Sequence, residues 1–455
     1  MRKIPVQIPT RGQEPIKALL FLFLLLIPLN LSAEENDTIH CDLETCIEIA
    51  ITNYPKLKAG RARLNAAKAA SEIKRKEQRP NLDMEVNIGH FSGETITPFG
   101  ILGSFTEEGL RQRHISGEYY QTTAGLQIPI VKEGAFLFQT PSSVRKADLG
   151  MSEAEWENQA IRTEVALKVA EAYIDFLKQL KAIKIFKEIV TLLEMDFNLA
   201  RTKFDQELIS RNDLLIAEVR LAKAKRDLSL SQLALQKSQK ALASSIRADK
   251  VSHIEIEDLQ GASDASSSLD IPVILSQEDN PELKAQKYRL FESREEVRRV
   301  QSERYPTASL LTHYSVADDF SRPGNDQWAA VFNVKVPIFD FGLSREKLAF
   351  ANAKAMEEEE HLLDLKMDIE QEIYEIYFYI QKLEEHIELI GKQIDQAAEA
   401  LKLNRAMFEQ DLLSQSALHD TESALLKLQL EKVSLEYDLK LAHFRLRLVS
   451  GKWVI

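Results

Sequence analysis

"NYPKLKA", residues 53–59, and "NPELKA", residues 280–285, are one phrase written twice. After each proline follows an amphipathic, charge-laced stretch that reads as a helix, and each helix stops at another proline, Pro80 or Pro306, twenty-five residues on in both cases. Beyond those prolines the period changes in both copies. Leu82, Met84, Val86 and Ile88 alternate with Asp83, Glu85 and Asn87, and a second alternating run leads to Ile128-Pro129-Ile130. The later copy answers with Leu310, Thr312, Tyr314 and Val316, a polar loop, then Trp328, Ala330, Phe332 and Val334 up to Val336-Pro337-Ile338. Period-two alternation marks strands, so each copy predicts a two-stranded hairpin, over 81–130 and 307–338, the first with the longer loop at about 92–114.

Both copies then return to helix. Residues 142–206 and 342–410 keep unbroken helical periodicity, and at ~1.5 Å per residue each would span about 100 Å. The rods end at matched corners, Phe204-Asp205-Gln206-Glu207-Leu208-Ile209-Ser210 and Phe408-Glu409-Gln410-Asp411-Leu412-Leu413-Ser414. A returning helix follows each, so the long helical hairpins cover 142–248 and 342–449. Ser210 and Ser414 have the hydroxyl an N-cap needs, and Asp213, three residues after Ser210, completes a capping-box pattern. Between the copies, residues 249–278 include "GASDASSSLD", a Ser-rich stretch poor in helix formers that reads as a linker. The chain thus divides into a first repeat, 34–248, the linker, and a second repeat, 279–455. With only 16 glycines and 14 prolines in 455 residues, the composition suits long helices.

The first 33 residues stand outside this scheme. Arg2, Lys3, Arg11 and Lys17 precede an apolar run, Ala18 to Leu31, that ends in Ser32 and Ala33, the pattern of a secretory signal peptide. The run is shorter than the ~20 residues of a spanning helix, and no later run is long enough. Cys41 lies too far downstream of the cleavage point to carry a lipoprotein anchor. Cys41 and Cys46 could meet an oxidising compartment, but their spacing beside a helix start suits a disulfide poorly, and unpaired thiols are expected. The whole chain has a net charge of −12, and losing the basic leader makes it more negative, which excludes nucleic acid as a partner.

Chemistry-bearing motifs are few. "DFGLSR", residues 340–345, matches three letters of a kinase magnesium loop. A kinase also needs a glycine-rich phosphate loop, a strand lysine and a His-Arg-Asp loop, and the sequence has none of them. Asp340 stands where a strand hands over to a rod, so a helix cap is its expected role. Glu358 and His361 share a helical face, yet a di-iron bundle needs two such pairs and two further glutamates. "MEEEEH" therefore reads as a solvated acidic face. Tyr374, Tyr377, Phe378 and Tyr379 sit at helical spacing, as packing between rods would require. No catalytic residue, metal or cofactor is expected. Four amphipathic strands are too few to close around a wet lumen, so several copies would have to pool strands into one barrel and rods into one tube.

The signal peptide, the doubled order of helix, hairpin, long helix and returning helix, "NPELKA", "VPIFDFG" and the closing Ser450-Gly451-Lys452-Trp453 together resemble the TolC-type outer-membrane efflux protein family over nearly all of the mature chain. The resemblance implies a mainly α fold with a small β part. It also implies a homotrimer: a twelve-stranded transmembrane β-barrel in the cell outer membrane above a long periplasmic α-helical tunnel. Such a protein is the exit duct of a tripartite efflux pump or type I secretion system. It docks on a periplasmic adaptor (membrane fusion protein) and an inner-membrane transporter, which supplies the energy. On this likeness the adaptor-docking tips are Glu207, Leu208, Ser210, Asp411, Leu412 and Ser414. The family usually has glycine at each corner, where this chain has Glu207 and Asp411. Of the acids that form the family's closed constriction, Asp420 matches and Ala417 departs, and Asp213 matches an acid that helps hold the tip shut. A threefold ring of Asp420 would favour cations. Asp420 and Glu422 read equally well as ordinary exposed helix residues. The rival reading is a periplasmic coiled-coil structural or adaptor protein without a pore.

Overall fold

The computed structural model describes residues 38–95, 113–137, 139–247, 253–256, 279–318, 325–410 and 412–452. The expected signal peptide, most of the linker, the hairpin loop tips and Asp411 lie outside the described residues. The helices are α1 (Leu43–Asn53), α2 (Pro55–Lys76), α3 (Ser142–Asp205), α4 (Arg211–Ser245), α5 (Pro281–Ser302), α6 (Leu343–Glu409) and α7 (Gln415–Val449). The strands are β1 (Thr38–Cys41), β2 (Asn81–Thr95), β3 (Arg113–Lys132), β4 (Ala135–Phe136), β5 (His253–Ile256), β6 (Thr307–Asp318) and β7 (Asn325–Lys335).

The two halves repeat one plan: a helix opening on proline (α2 or α5), a strand pair (β2–β3 or β6–β7), and a long helical hairpin (α3–α4 or α6–α7). Proline at the first helical position loses no hydrogen bond, which is why both opening helices tolerate it. The rods are held by heptad seams. On α6, Ile369, Ile373, Ile376, Ile380 and Leu383 alternate four and three apart and are buried with Ala442 and Leu446 of α7. On α4, small residues recur at every seventh position, Ala217, Ala224, Ser231, Ser238 and Ser245, all buried, so the backbone of α3 can come close. The largest core lies midway along α3, where Val165, Val169, Tyr173 and Leu177 meet Ile47 and Leu57 from α1 and α2, and Leu242 from α4.

The four long strands form one antiparallel sheet in the order β2-β3-β6-β7, and the short β4 folds back onto β3. The first ladder runs on to Thr95 opposite Arg113, so both strands extend past the limits expected for the loop. The missed residues of β2, Ser92 to Thr95, are polar and glycine-containing and do not alternate. Backbone pairing with β3 carries them regardless. Register across the sheet stacks like with like. Met84, Ala124, Tyr314 and Trp328 form one cross-strand row, and Leu82, Leu126, Thr312 and Ala330 another, while Glu85, Thr123, Ser315 and Gln327 fall on the opposite face. The register shifts between Pro129 and Val131, where proline has no N–H for the ladder. A further, parallel pair was not foreseen: β1 lies beside β5, with Cys41 opposite Ile256, so part of the expected linker is a strand tied to the start of the first repeat.

Asp340 caps as expected. Its Oδ2 accepts from the Ser344 N–H at 2.8 Å and its Oδ1 from the Gly342 N–H at 3.1 Å. Gly342, at φ +90, supplies the left-handed turn that lets the strand swing into α6.

Candidate functional site

The residues singled out in the sequence gather where each long hairpin turns. Both corners use the same hydrogen-bond pattern. Leu208 N–H donates to the Lys203 carbonyl at 2.8 Å, and Leu412 N–H donates to the Met407 carbonyl at 2.9 Å. In the first corner the Glu207 N–H also reaches the Phe204 carbonyl at 2.9 Å, completing a Schellman motif. That motif puts Glu207 in the left-handed region at φ +60, a conformation that favours glycine. Leu208 and Leu412 follow, 68% and 67% exposed, as an apolar residue at the tip of each rod pair.

The returning helices start differently. Ser210 Oγ accepts from the Asp213 N–H at 3.2 Å, and Asp213 Oδ2 in turn accepts from the Ser210 N–H at 3.2 Å and from its hydroxyl at 2.7 Å. Asp213 is thus engaged at its own helix start. Ser414 makes only the single cap, to the Ala417 N–H at 3.3 Å, because Ala417 has no carboxylate to return the bond.

One turn or two above the corners, a cleft of about 630 Å³ opens between the two hairpins. Its wall carries Asp196 from α3, Asp213 and Arg220 from α4, Arg405 from α6, and His419 and Glu422 from α7. Arg405 donates to Glu422 at 3.0 Å, and one residue away on each helix Asn404 donates to the Thr421 hydroxyl at 2.8 Å. Glu422 is buried, so the expectation that it is an ordinary exposed helix residue is corrected: Arg405 supplies the partner that burial demands. Burial, and then the charge of Glu422, push the Asp196 carboxyl up. Burial pulls the His419 imidazole down, helped by Arg220 and opposed by Asp420. Burial also lowers Arg220, against the opposing fields of Asp420 and Glu422. Asp420 itself is exposed and acts on this group from its edge.

The structure therefore brings Asp213 and Glu422 to one cleft, leaves Asp420 exposed beside it, and puts Glu207, Leu208, Ser210, Leu412 and Ser414 at the two corners. Sequence reading missed Asp196, Arg220, Arg405 and His419. Arg405 and Glu422 could have been found, since they carry opposite charge on the two arms of one hairpin, close to its corner. Asp196 and Arg220 sit on the other hairpin and offer no such pattern. Among the described residues no group of three or more His, Cys, Asp or Glu is placed to hold a metal ion, and no helix is long and apolar enough to cross a membrane.

A family model described as outer membrane efflux protein matches residues 46–246 and 275–452. Solved structures share the fold. The outer membrane protein VceC of Vibrio cholerae is 18% identical with a TM-score of 0.76, the match covering 90% of this chain and 96% of that one. CusC is 15% identical with a TM-score of 0.74, covering 91% and 93%. The CmeC outer membrane channel of Campylobacter jejuni is 14% identical with a TM-score of 0.74, covering 92% and 86%. No curated protein matches the sequence.

Proposed function

The chain belongs to the outer membrane efflux protein family, and we propose that it works as the exit duct of a tripartite efflux pump or type I secretion system, three copies closing one conduit. The observation that carries this reading is the unfinished sheet. Leu82, Met84, Ile88 and Trp328 stand 70–79% exposed on its apolar face, and β2 and β7 each have one edge unpaired among the described residues. In water such a face and such edges would drive aggregation. In a bilayer the apolar face is at home, but lipid cannot satisfy an open edge, so the strands must close into a barrel. Three copies supply twelve strands, β7 of one beside β2 of the next, with the row containing Glu85 and Gln327 turned to the water-filled bore.

The rods ask for the same neighbours. α6 has Phe350, Leu363, Met367, Phe378 and Leu403 exposed, away from its seam with α7, and identical copies around a threefold axis would cover them. Leu208 and Leu412 then point toward the inner membrane as contacts for a periplasmic adaptor, and Asp420 lines the narrow end. Cargo moves through without chemistry on this chain, driven by the inner-membrane transporter. The rival reading, a pore-free periplasmic adaptor, leaves the doubled apolar strand pair without a purpose.

Fractionation of the cell envelope tests the proposal. The expected result is a detergent-extracted species in the outer membrane with the native mass of a trimer, which forms ion-conducting channels in planar bilayers. A soluble periplasmic monomer would overturn it. Leu208→Cys and Leu412→Cys variants are expected to crosslink to the adaptor.

A further inference from the structure

We propose that Cys41 and Cys46 are joined by an intramolecular disulfide in the mature protein, a covalent clasp at the start of α1. The inference rests on the envelope location read above, because disulfides persist there and not in the cytoplasm. The sequence spacing argued for free thiols, and the structure holds both as buried thiols. What the spacing concealed is the position of each residue on the helix. Asp42 is the N-cap of α1, its Oδ1 accepting from the Thr45 N–H at 2.8 Å. Cys41 is therefore the residue before the cap and Cys46 the fourth residue of the helix, the two positions whose side chains meet in a hydrophobic staple. They are neighbours here: both lie fully buried in one core cluster with Ile47 and Tyr173.

The backbone around this contact is fixed from both sides. Cys41 is held in the parallel pair with β5, and its carbonyl accepts from the Tyr173 hydroxyl of α3 at 3.3 Å. The Cys46 N–H donates to the Asp42 carbonyl at 3.1 Å in the first helical turn. Neither cysteine has any exposed surface, and burial pushes both thiols up, so the reactive thiolate is disfavoured once the region is packed. Oxidation thus belongs to the folding chain, before α3 closes over the pair, and the finished bond is shielded from reductants. In the step, a thiolate attacks the disulfide of a periplasmic protein oxidant of the thiol-oxidoreductase class. The second thiol then resolves the mixed disulfide. Two protons and two electrons leave the cysteines, one S–S bond forms, and the oxidant is released as a dithiol.

The test traps thiols by acid quench in whole cells, recovers the full-length chain from the outer-membrane fraction, and alkylates it in denaturant with and without prior reduction. Intact mass is expected to show no adduct before reduction and two after it, with peptide mapping placing the bond between residues 41 and 46. Cys41→Ser and Cys46→Ser should each expose one alkylatable thiol without reduction. Two adducts without reduction on protein from the outer membrane would overturn the clasp and leave the duct reading intact. Absence of the chain from that fraction would strike the duct reading instead. The clasp is then decided by refolding the purified full chain in a glutathione redox buffer, where failure to form the bond overturns it.

Discussion

The two repeats close on themselves by different chemistry at the same place. Each returning helix ends in a left-handed residue set against the stretch just before the proline that opens α2 or α5: Arg247, at φ +55, lies over the ring of Tyr54 at 5.1 Å, and Gly451, at φ +71, lies against the backbone of Asp279 and Asn280. In the first repeat the joint is a cation over an aromatic face, with Lys168 donating to the Tyr54 hydroxyl at 3.2 Å. In the second it is backbone on backbone. Asn280 caps α5 through the Glu282 and Leu283 N–H groups and uses its Nδ2 to reach the Val449 carbonyl at 2.8 Å. The duplicated fold therefore preserves a geometry, a left-handed helix end on a helix start, and leaves the residues free to differ wherever a side chain can fill the space.

The sharpest way to break the comparison is at Gly451. A Cβ there would lie 2.4–2.6 Å from the backbone of Asp279 and Asn280, which cannot yield as a flexible side chain would. Gly451→Ala is expected to cost more than about 3 kcal/mol, the left-handed penalty and the backbone clash acting together. Arg247→Ala, at the matching position, loses a side-chain contact with Tyr54 and meets no backbone clash, and should cost about 0.5–1 kcal/mol. Thermal unfolding in detergent followed by circular dichroism separates the two, and equal losses would mean that the two joints do not differ in the way described.

Much of this architecture was legible because it is periodic. Two copies of helix, alternating strands and rod show in the sequence as changes of period, and the duplication checks each reading against the other. The repeat is also inexact at one point. Asn53 and Asn280 align in the two phrases, but the extra Tyr54 moves Asn53 into the last turn of α1, so only Asn280 caps. What stayed hidden has no period. β1 and β5 are four residues each and lie more than two hundred residues apart, too short for alternation to register. In the tip cleft, Asp196 and Arg220 belong to the other hairpin and reach the side of Arg405 and Glu422 through the rods' packing, which no spacing along the chain announces.

That cleft gives the second contrast. The α6–α7 pair is tied by Arg405 and the buried Glu422, whereas the α3–α4 pair has Glu194 and Lys225 at 2.8 Å, both about half exposed. Removing Arg405 takes its hydrogen-bonded partner from a buried carboxylate, and Arg405→Ala is expected to cost about 1–3 kcal/mol near the tip. Lys225→Ala should cost less than about 1 kcal/mol, since solvent screens the pair. Hydrogen exchange of the tip amides reports both. Faster exchange by about tenfold to a hundredfold is expected in α6 and α7 for the first variant, with little change in α3 and α4 for the second. A uniform response across both hairpins would remove the distinction.

The corners provide the smallest effect and the finest comparison. Ser210→Ala breaks a reciprocal box, since Asp213 loses its hydroxyl donor while its own N–H loses an acceptor, and about 1–2 kcal/mol of local stability should go with it. Ser414→Ala removes one bond at 3.3 Å and should cost about 0.5–1 kcal/mol. Ala417→Asp restores the missing half of the box in the second corner, so exchange at the start of α7 should slow toward the rate at the start of α4. If Ala417→Asp leaves that rate unchanged, the asymmetry of the two tips does not come from the caps and must come from the charged cleft above them.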